Sequence, residues 1–399
     1  MSNRSAVVLA IVVLTGCRGE QRQAPRDDLA SLVDSLKPSV ERAAGIPFRQ
    51  PLKAATRTRE QLRAYLLERI DADFTPERLR GTELTYQLLG LLPDTLDLED
   101  FLVELLTEQV AGFYDPETST LYGMEGMDRT AMGLILAHEM VHALQHQYLP
   151  LDSILRPQDD DDRQLAAHAI LEGQATLASI KAFLPAGASV PPEIWSQARD
   201  QLASAQASSP RFAAAPLVIR EQLLFPYLEG ADFMMWWETS PFRDTLPYGP
   251  RMPQSSEQVL QPSHYETDQP RPVRFASADS ALFENTMGDL GIRILAADLN
   301  GSREVASALN IGWGGDRFRV YDVGPGGALV WFIVWDDAKA ADRFHRTTGA
   351  DLAGRPRPNY RFDLARVMVD GSPATRIVIG PNGWAGWESL PVASIVDSP

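Results

Sequence analysis

The run His138-Glu139-Met140-Val141-His142 sets two imidazoles four positions apart with a carboxylate beside the first. On an α-helix, positions four apart differ by about 40° in azimuth and about 6 Å in rise. His138 and His142 would then share one face and hold one Zn²⁺. Glu139, about 100° round the helix, would address a water beside the ion and not the ion itself. Two ligands and a base on adjacent turns suit hydrolysis by a metal-activated water. A pattern of three fixed positions recurs by chance, and the bland alternative is a half-exposed helix with two ordinary histidines. The surroundings therefore decide. Asp128 is placed to cap a helix over 129–148, in which Gly133 is the sole Gly or Pro. Met132, Leu134, Ile135, Leu136, Met140, Val141 and Leu144 make that helix apolar on most sides. Polar groups buried in it need compensation, which a metal supplies.

A catalytic zinc site takes a third protein ligand and keeps one position open. Glu172 stands in a second apolar, helix-forming segment over 162–183 and is the first candidate, against the plainer reading of a surface helix residue. His168, one turn before Glu172, His146, one turn after His142, and Glu229 rank below it. Before the first helix, 111–115 and 120–123 are short β-prone runs, and Asp115-Pro116-Glu117-Thr118-Ser119 between them is turn chemistry.

With these residues in place the chain resembles the gluzincins, the zincin metallopeptidases in which H-E-x-x-H is joined by a downstream Glu ligand. The resemblance covers roughly residues 100–185. More loosely, the whole chain is similar to a set of uncharacterised secreted bacterial proteins with this core. Their typical features recur as Val110-Ala111-Gly112-Phe113-Tyr114-Asp115, as Leu171-Glu172-Gly173, and as Gly312-Trp313-Gly314-Gly315-Asp316. The resemblance implies His138, His142 and Glu172 as zinc ligands, Glu139 as general base and peptide-bond hydrolysis, without naming a substrate. It also implies that the edge strand of the hairpin pairs with an extended peptide or protein substrate. The long metzincin form is absent, because Tyr148 stands where its third His would be.

An oxyanion formed in such a reaction needs a donor besides zinc. Tyr227, His264 and Tyr265 are candidates, and spacing does not choose among them. Asp161, Asp162 and Thr176 are candidates to support the ligating histidines.

The amino terminus suggests an address. An apolar run over 6–14 suits a signal-peptide core and is too short for a membrane span. It ends in Leu14-Thr15-Gly16-Cys17, which resembles the lipobox of bacterial lipoproteins. Residues 1–16 would be removed, Cys17 lipidated, and 17–28 left as a tether. The mature protein would be exported and anchored in the cell envelope membrane, on its periplasmic or extracellular face. Cys17 is the sole cysteine, so no disulfide forms within the chain.

A chain of 399 residues holds two or three domains, and its formal charge of −16 argues against a nucleic-acid partner. Proline breaks at Pro38, Pro47, Pro51, Pro76 and Pro93 divide 29–106 into about four helices. The zincin-like core would occupy 107–245, with further helices around 193–207 and 216–238; Phe233-Met234-Met235-Trp236-Trp237 reads as core packing. A Pro-rich irregular segment, 246–274, leads to an α+β module over 275–399. In that module 282–297, 303–309 and 338–347 read as helices, and 317–323, 328–334, 365–370 and 375–379 as strands. Gly312-Trp313-Gly314-Gly315-Asp316 reads as a tight turn around a buried Trp, with a substrate-binding loop as the sharper alternative. Asp159-Asp160-Asp161-Asp162 reads as a solvated loop that caps the next helix, or as oxygen ligands for Ca²⁺. The fold expected is α+β, mainly helical with a small hairpin or sheet. The rival function is a catalytically inactive, zincin-derived binding lipoprotein.

Overall fold

The computed structural model describes residues 26–73, 75–155, 159–207, 209–276, 279–309, 311–324 and 326–396. The expected signal peptide, Cys17 and the tether as far as residue 25 lie outside the described residues. Residues 26–28, expected in the tether, already belong to the first helix. No described helix is long and apolar enough to cross a membrane.

The fold is α+β, mainly helical with small sheets. Four helices lie in the region expected to be helical: α1 (Arg26–Ala44), α2 (Arg59–Asp73), α3 (Pro76–Leu89) and α4 (Leu98–Gln109). Pro38 does not break α1. It sits on the exposed face, where the carbonyl it deprives of a partner meets water, while Leu29, Val33, Leu36 and Val40 bury the opposite face. Strand β1 (Lys53–Arg57) was not expected. Its five residues carry no alternating pattern, and it exists because it pairs in parallel with β3 (Thr120–Met124). β3 in turn pairs antiparallel with β2 (Gly112–Asp115), giving the order β1-β3-β2. The hairpin is thus where the sequence places it. Its edge strand β2 is buried at all four residues, while the opposite edge strand β1 is exposed to half-buried.

The two helices named from the motif are α5 (Arg129–His146) and α7 (Asp161–Ala182), joined through the short α6 (Leu151–Leu155). The Asp128 side chain accepts from the backbone N–H groups of Thr130 and Ala131, closing the N-terminus of α5. Asp160 caps α7 by accepting from Arg163. The rest of the acidic run is less solvated than expected. Asp161 pairs with Arg78, and its N–H donates to Asn285 Oδ1 at 2.8 Å. Asp162 is buried and accepts from Ser256 N at 3.0 Å. These contacts clamp the start of α7 and leave no four-carboxylate cation cage among the described residues.

After α7 come α8 (Pro192–Ala207), α9 (Pro210–Ala214) and α10 (Leu217–Trp237). α7 and α10 cross at Gly173 and Gly230. A Cβ built on Gly173 would lie 2.2 Å from the Gly230 carbonyl carbon, and one on Gly230 would lie 2.0 Å from the Ala169 oxygen. The two backbones touch there because neither residue has a side chain. The segment expected to be irregular does contain α11 (Ser256–Leu260), whose Ser256, Glu257, Gln258 and Val259 are buried, and ends in β4 (Val273–Phe275).

The last part carries β5 (Phe283–Asn285), α12 (Gly288–Asn300), α13 (Arg303–Leu309), β6 (Trp313–Tyr321), β7 (Ala328–Trp335), α14 (Ala338–Arg346), α15 (Thr348–Ala353), β8 (Tyr360–Val369), β9 (Ser372–Pro381) and β10 (Ala393–Ile395). A five-stranded antiparallel sheet, β5-β6-β7-β9-β8, is covered by helices, and β10 pairs with β4. Two expectations are corrected here. The helix expected from 282 starts at Gly288, because Phe283–Asn285 pair with β6 instead. Gly312-Trp313-Gly314-Gly315-Asp316 is neither a tight turn nor a binding loop: Trp313 opens β6, with a bulge before Gly315. Its Trp is buried, and Asp316 receives the indole N–H groups of Trp313 (3.2 Å) and Trp331 (2.8 Å) with the backbone N–H groups of Met287 and Gly288.

One core joins Leu84 and Leu88 of α3, Ile170 and Leu177 of α7, Phe233 and Trp237 of α10, Ile292 and Leu295 of α12, and Trp331 and Ile333 of β7. A second fastens α1 to α5 and α7 through Val33, Val40, Leu136, Met140 and Ala175. The metal-motif helices lie between the two.

Candidate metal centre

α5 and α7 pack side by side, and their facing turns bring His138, His142 and Glu172 together. His138 Nε2 lies 3.1 Å from His142 Nε2 and 3.1 Å from Glu172 Oε2; His142 Nε2 lies 3.4 Å from the same oxygen. All three residues are buried. Among the described residues this is the group of His, Cys, Asp and Glu side chains positioned to hold a metal ion.

The polar atoms around the trio fix its orientation. His142 Nδ1 lies 2.9 Å from Gln145 Oε1. An amide oxygen accepts only, so Nδ1 carries a proton, and with an ion bound Nε2 would turn a lone pair to it. Gln145 cannot flip, since its Nε2 donates to the Leu171 carbonyl and to Gln174 Oε1, both at 2.9 Å. Tyr248 donates to that same Gln174 oxygen. On the far side His168 Nε2 sits 3.1 Å from Glu172 Oε1, which leaves Oε2 for an ion. The expected supports behave otherwise: Asp161 and Asp162 anchor the start of α7, and the buried Thr176 hydroxyl has no hydrogen-bond partner. The spacing of Gln145, three after His142, was a readable signal for its role. Nothing in the sequence pointed to Gln174 or Tyr248.

Glu139 is 0% exposed, and neither of its carboxylate oxygens makes a hydrogen bond of ordinary geometry. Burial pushes its pKa up to about 8, with the His142 charge opposing, Glu172 adding to the rise, and the Tyr114 backbone amide slightly favouring the charged form. Gly112 of β2 admits this packing: a Cβ there would lie 2.4 Å from Ile135 Cγ2 and 3.8 Å from Glu139 Cγ. Burial also lowers His138. For His142, burial is outweighed by Glu172, which raises the imidazole to about 9. Glu172 is held well below the carboxylate range: burial acts against this, but the His142 charge and hydrogen bonds from three histidines prevail. Without an ion, the cluster is a buried carboxylate held by imidazolium charge, and a dication would take that proton's place.

The remaining candidates separate clearly. The Tyr227 ring lies 6.1 Å from that of His138, stacked at 27°. Tyr265 packs among Phe233, Trp236, Trp237 and Phe242 and donates to the Arg251 carbonyl, outside the cluster. His264 is exposed in a turn beside it. His146 meets the Tyr114 hydroxyl at 2.9 Å, and Glu229 pairs with Arg199. Neither joins the trio, since each points to a different neighbour.

A family model described as a domain of unknown function, DUF8575, matches residues 275–382. Its start coincides with the change of character at the last module, and it lies outside the metal-motif helices. No curated protein and no solved structure matches the chain.

Proposed function

We propose that the protein is a zinc-dependent peptidase of gluzincin type, exported and anchored through a lipid on Cys17. The observation that carries the catalytic reading is Glu139, a fully buried carboxylate beside three converging ligand atoms. The donor set supports zinc. Metal–ligand bonds of 2.0–2.1 Å in a tetrahedron separate ligand atoms by about 3.3 Å, close to the 3.1, 3.1 and 3.4 Å found here. Two imidazoles and one carboxylate also match the zinc preference for nitrogen with a single oxygen.

His138, His142 and Glu172 would hold the ion. Bound there, zinc supplies Lewis-acid polarisation of the scissile carbonyl and a water acidic enough to attack near neutral pH. Glu139 removes a proton from the attacking water as its oxygen bonds to the carbonyl carbon. Glu139 then gives that proton to the amine nitrogen as the C–N bond breaks. Of the three oxyanion donors considered, Tyr227 alone packs against a ligand.

A second reading, a zincin-derived binding protein of the cell envelope with a structural metal, draws on the burial of all three ligands. A structural site has no use for a further buried carboxylate beside its ligands, which favours the peptidase. Metal analysis with peptide-library cleavage separates the two. About one zinc per chain and chelator-sensitive cleavage are expected, with Glu139→Gln keeping its zinc and losing at least about a hundredfold in rate. Cleavage that survives in Glu139→Gln would remove Glu139 as the base. Zinc without cleavage would support the binding protein.

A further inference from the structure

A cavity of about 420 Å³ opens where α3, α4, α7 and α10 meet β5, β6 and the start of α12. That volume lies in the range of ligand pockets, and close-packed interiors do not otherwise leave such space. Its walls are mainly apolar, with Leu98, Leu102, Ile219, Leu223, Phe283 and Met287 contributing from different elements. Its polar groups are largely engaged. Arg78 and Asp161 neutralise each other, Gln222 Nε2 donates to the Tyr86 hydroxyl at 2.7 Å, and burial pushes Asp162 toward its neutral acid. Neither member of the Arg78–Asp161 pair therefore offers an unpaired charge to a group entering this space.

Two contacts connect the cavity with the ligand trio. His168 lines it and touches Glu172 Oε1. The His168 side chain is 32% exposed, while His138, His142, Glu172, Glu139 and Gln145 are buried, so His168 is where the cluster meets accessible space. Leu223 lines the cavity one turn before Tyr227, which packs against His138.

We propose that this cavity is the specificity pocket of the site and takes a bulky, uncharged apolar side chain of a peptide substrate, adjacent to the amide that is cleaved. The proposal rests on the peptidase reading above. Its walls come from the helices ahead of the motif, from the motif region and from the last module, so the DUF8575 region supplies part of the pocket through Phe283, Met287 and Phe318.

Leu102 tests it, since it is half-buried on α4 and contacts none of the metal ligands. Zinc-loaded full-length protein is presented with a peptide library, alongside Leu102→Trp and Leu102→Ala. Wild type is expected to cleave beside Leu, Phe or Met. Leu102→Trp is expected to lower kcat/KM for those peptides at least tenfold and shift preference to Ala, and Leu102→Ala to shift it toward Trp and Phe. Cleavage without apolar preference, or a preference moved by neither variant, overturns the pocket and leaves the peptidase reading standing. If no peptide is cleaved, the same proteins are titrated with N-acetyl-leucyl-leucine amide by NMR. Binding that is lost in Leu102→Trp and kept in Leu102→Ala would show an apolar binding site and overturn its role as the specificity pocket of a peptidase. Absence of binding to wild type overturns the pocket. Should Leu102→Trp fail to fold, Leu102→Ala carries the test alone.

Discussion

Gln145 shows how much of the metal centre depends on one neutral side chain. Its oxygen fixes the proton on His142 Nδ1, and its own orientation is set by the Leu171 carbonyl. Gln145→Ala leaves His142 free to rotate and to change tautomer. Metal affinity, read by competition with a chromophoric chelator, should fall about 10- to 100-fold. Gln145→Glu, which restores the acceptor, should recover most of that loss; equal affinity in Gln145→Ala and wild type would show that packing alone orients the ring. Glu172→Ala removes a ligand atom outright and should weaken binding far more than Gln145→Ala does. At this scale the pairing of His138 with His142 was legible, because four-residue spacing on a helix is geometry the chain carries in itself. Tyr248 was not legible: its contact with Gln174 crosses 74 positions, and a lone Tyr in a Pro-rich segment carries no signal.

Among elements, the contact that matters most for the centre is the crossing of α7 with α10. Glu172 precedes Gly173, and the Gly230 backbone lies against that turn. A methyl group at either glycine has no room, so Gly173→Ala and Gly230→Ala must part the helices. Each should destabilise the fold by about 1–3 kcal/mol and shift Glu172 enough to weaken metal binding. Gly133→Ala is the control: a Cβ there meets nothing within 4 Å, and helix propensity predicts a gain of about 0.5–1 kcal/mol. Urea melts of the three variants check this, and a neutral result at Gly173 would mean the crossing is looser than the contact implies. Helices α5 and α7 were readable from their caps and apolar runs, and α8 and α10 from their helix-forming composition. β1 was not, since a five-residue edge strand is made by its partner and not by its own pattern.

Over the whole molecule, α11 is held against α12 with Glu257 buried between them. Burial, reinforced by the negative charges of Asp289, Asp268 and Asp336, pushes the Glu257 pKa up to about 10. The folded protein therefore keeps Glu257 protonated where the unfolded chain would ionise it. That contribution is complete below about pH 4, the ordinary glutamate range, and is lost as pH rises toward 10. Glu257→Gln imitates the protonated acid. It should match wild type near pH 4, exceed it at pH 8, and flatten the fall of stability between them, as read from denaturant midpoints. Equal pH dependence in both proteins would place the charge elsewhere. An ion held by His138, His142 and Glu172 would tie α5 to α7 between the two cores, so a chelator is expected to lower Tm and added zinc to restore it.

The sequence by itself determined the spacing of His138, Glu139 and His142, the capped helices that carry them and Glu172, and the hairpin ahead of them, since each of these follows from near neighbours along the chain. Only the tertiary structure decided the rest. It gave Tyr265, His146 and Glu229 other partners and left His264 exposed. It turned the glycine-rich Trp313 segment into a bulged, buried strand, and brought Phe283 and Met287 to a cavity shared with α4 and α7. Those outcomes depend on which surfaces meet across long separations, where burial and close packing choose among partners that local pattern leaves equivalent.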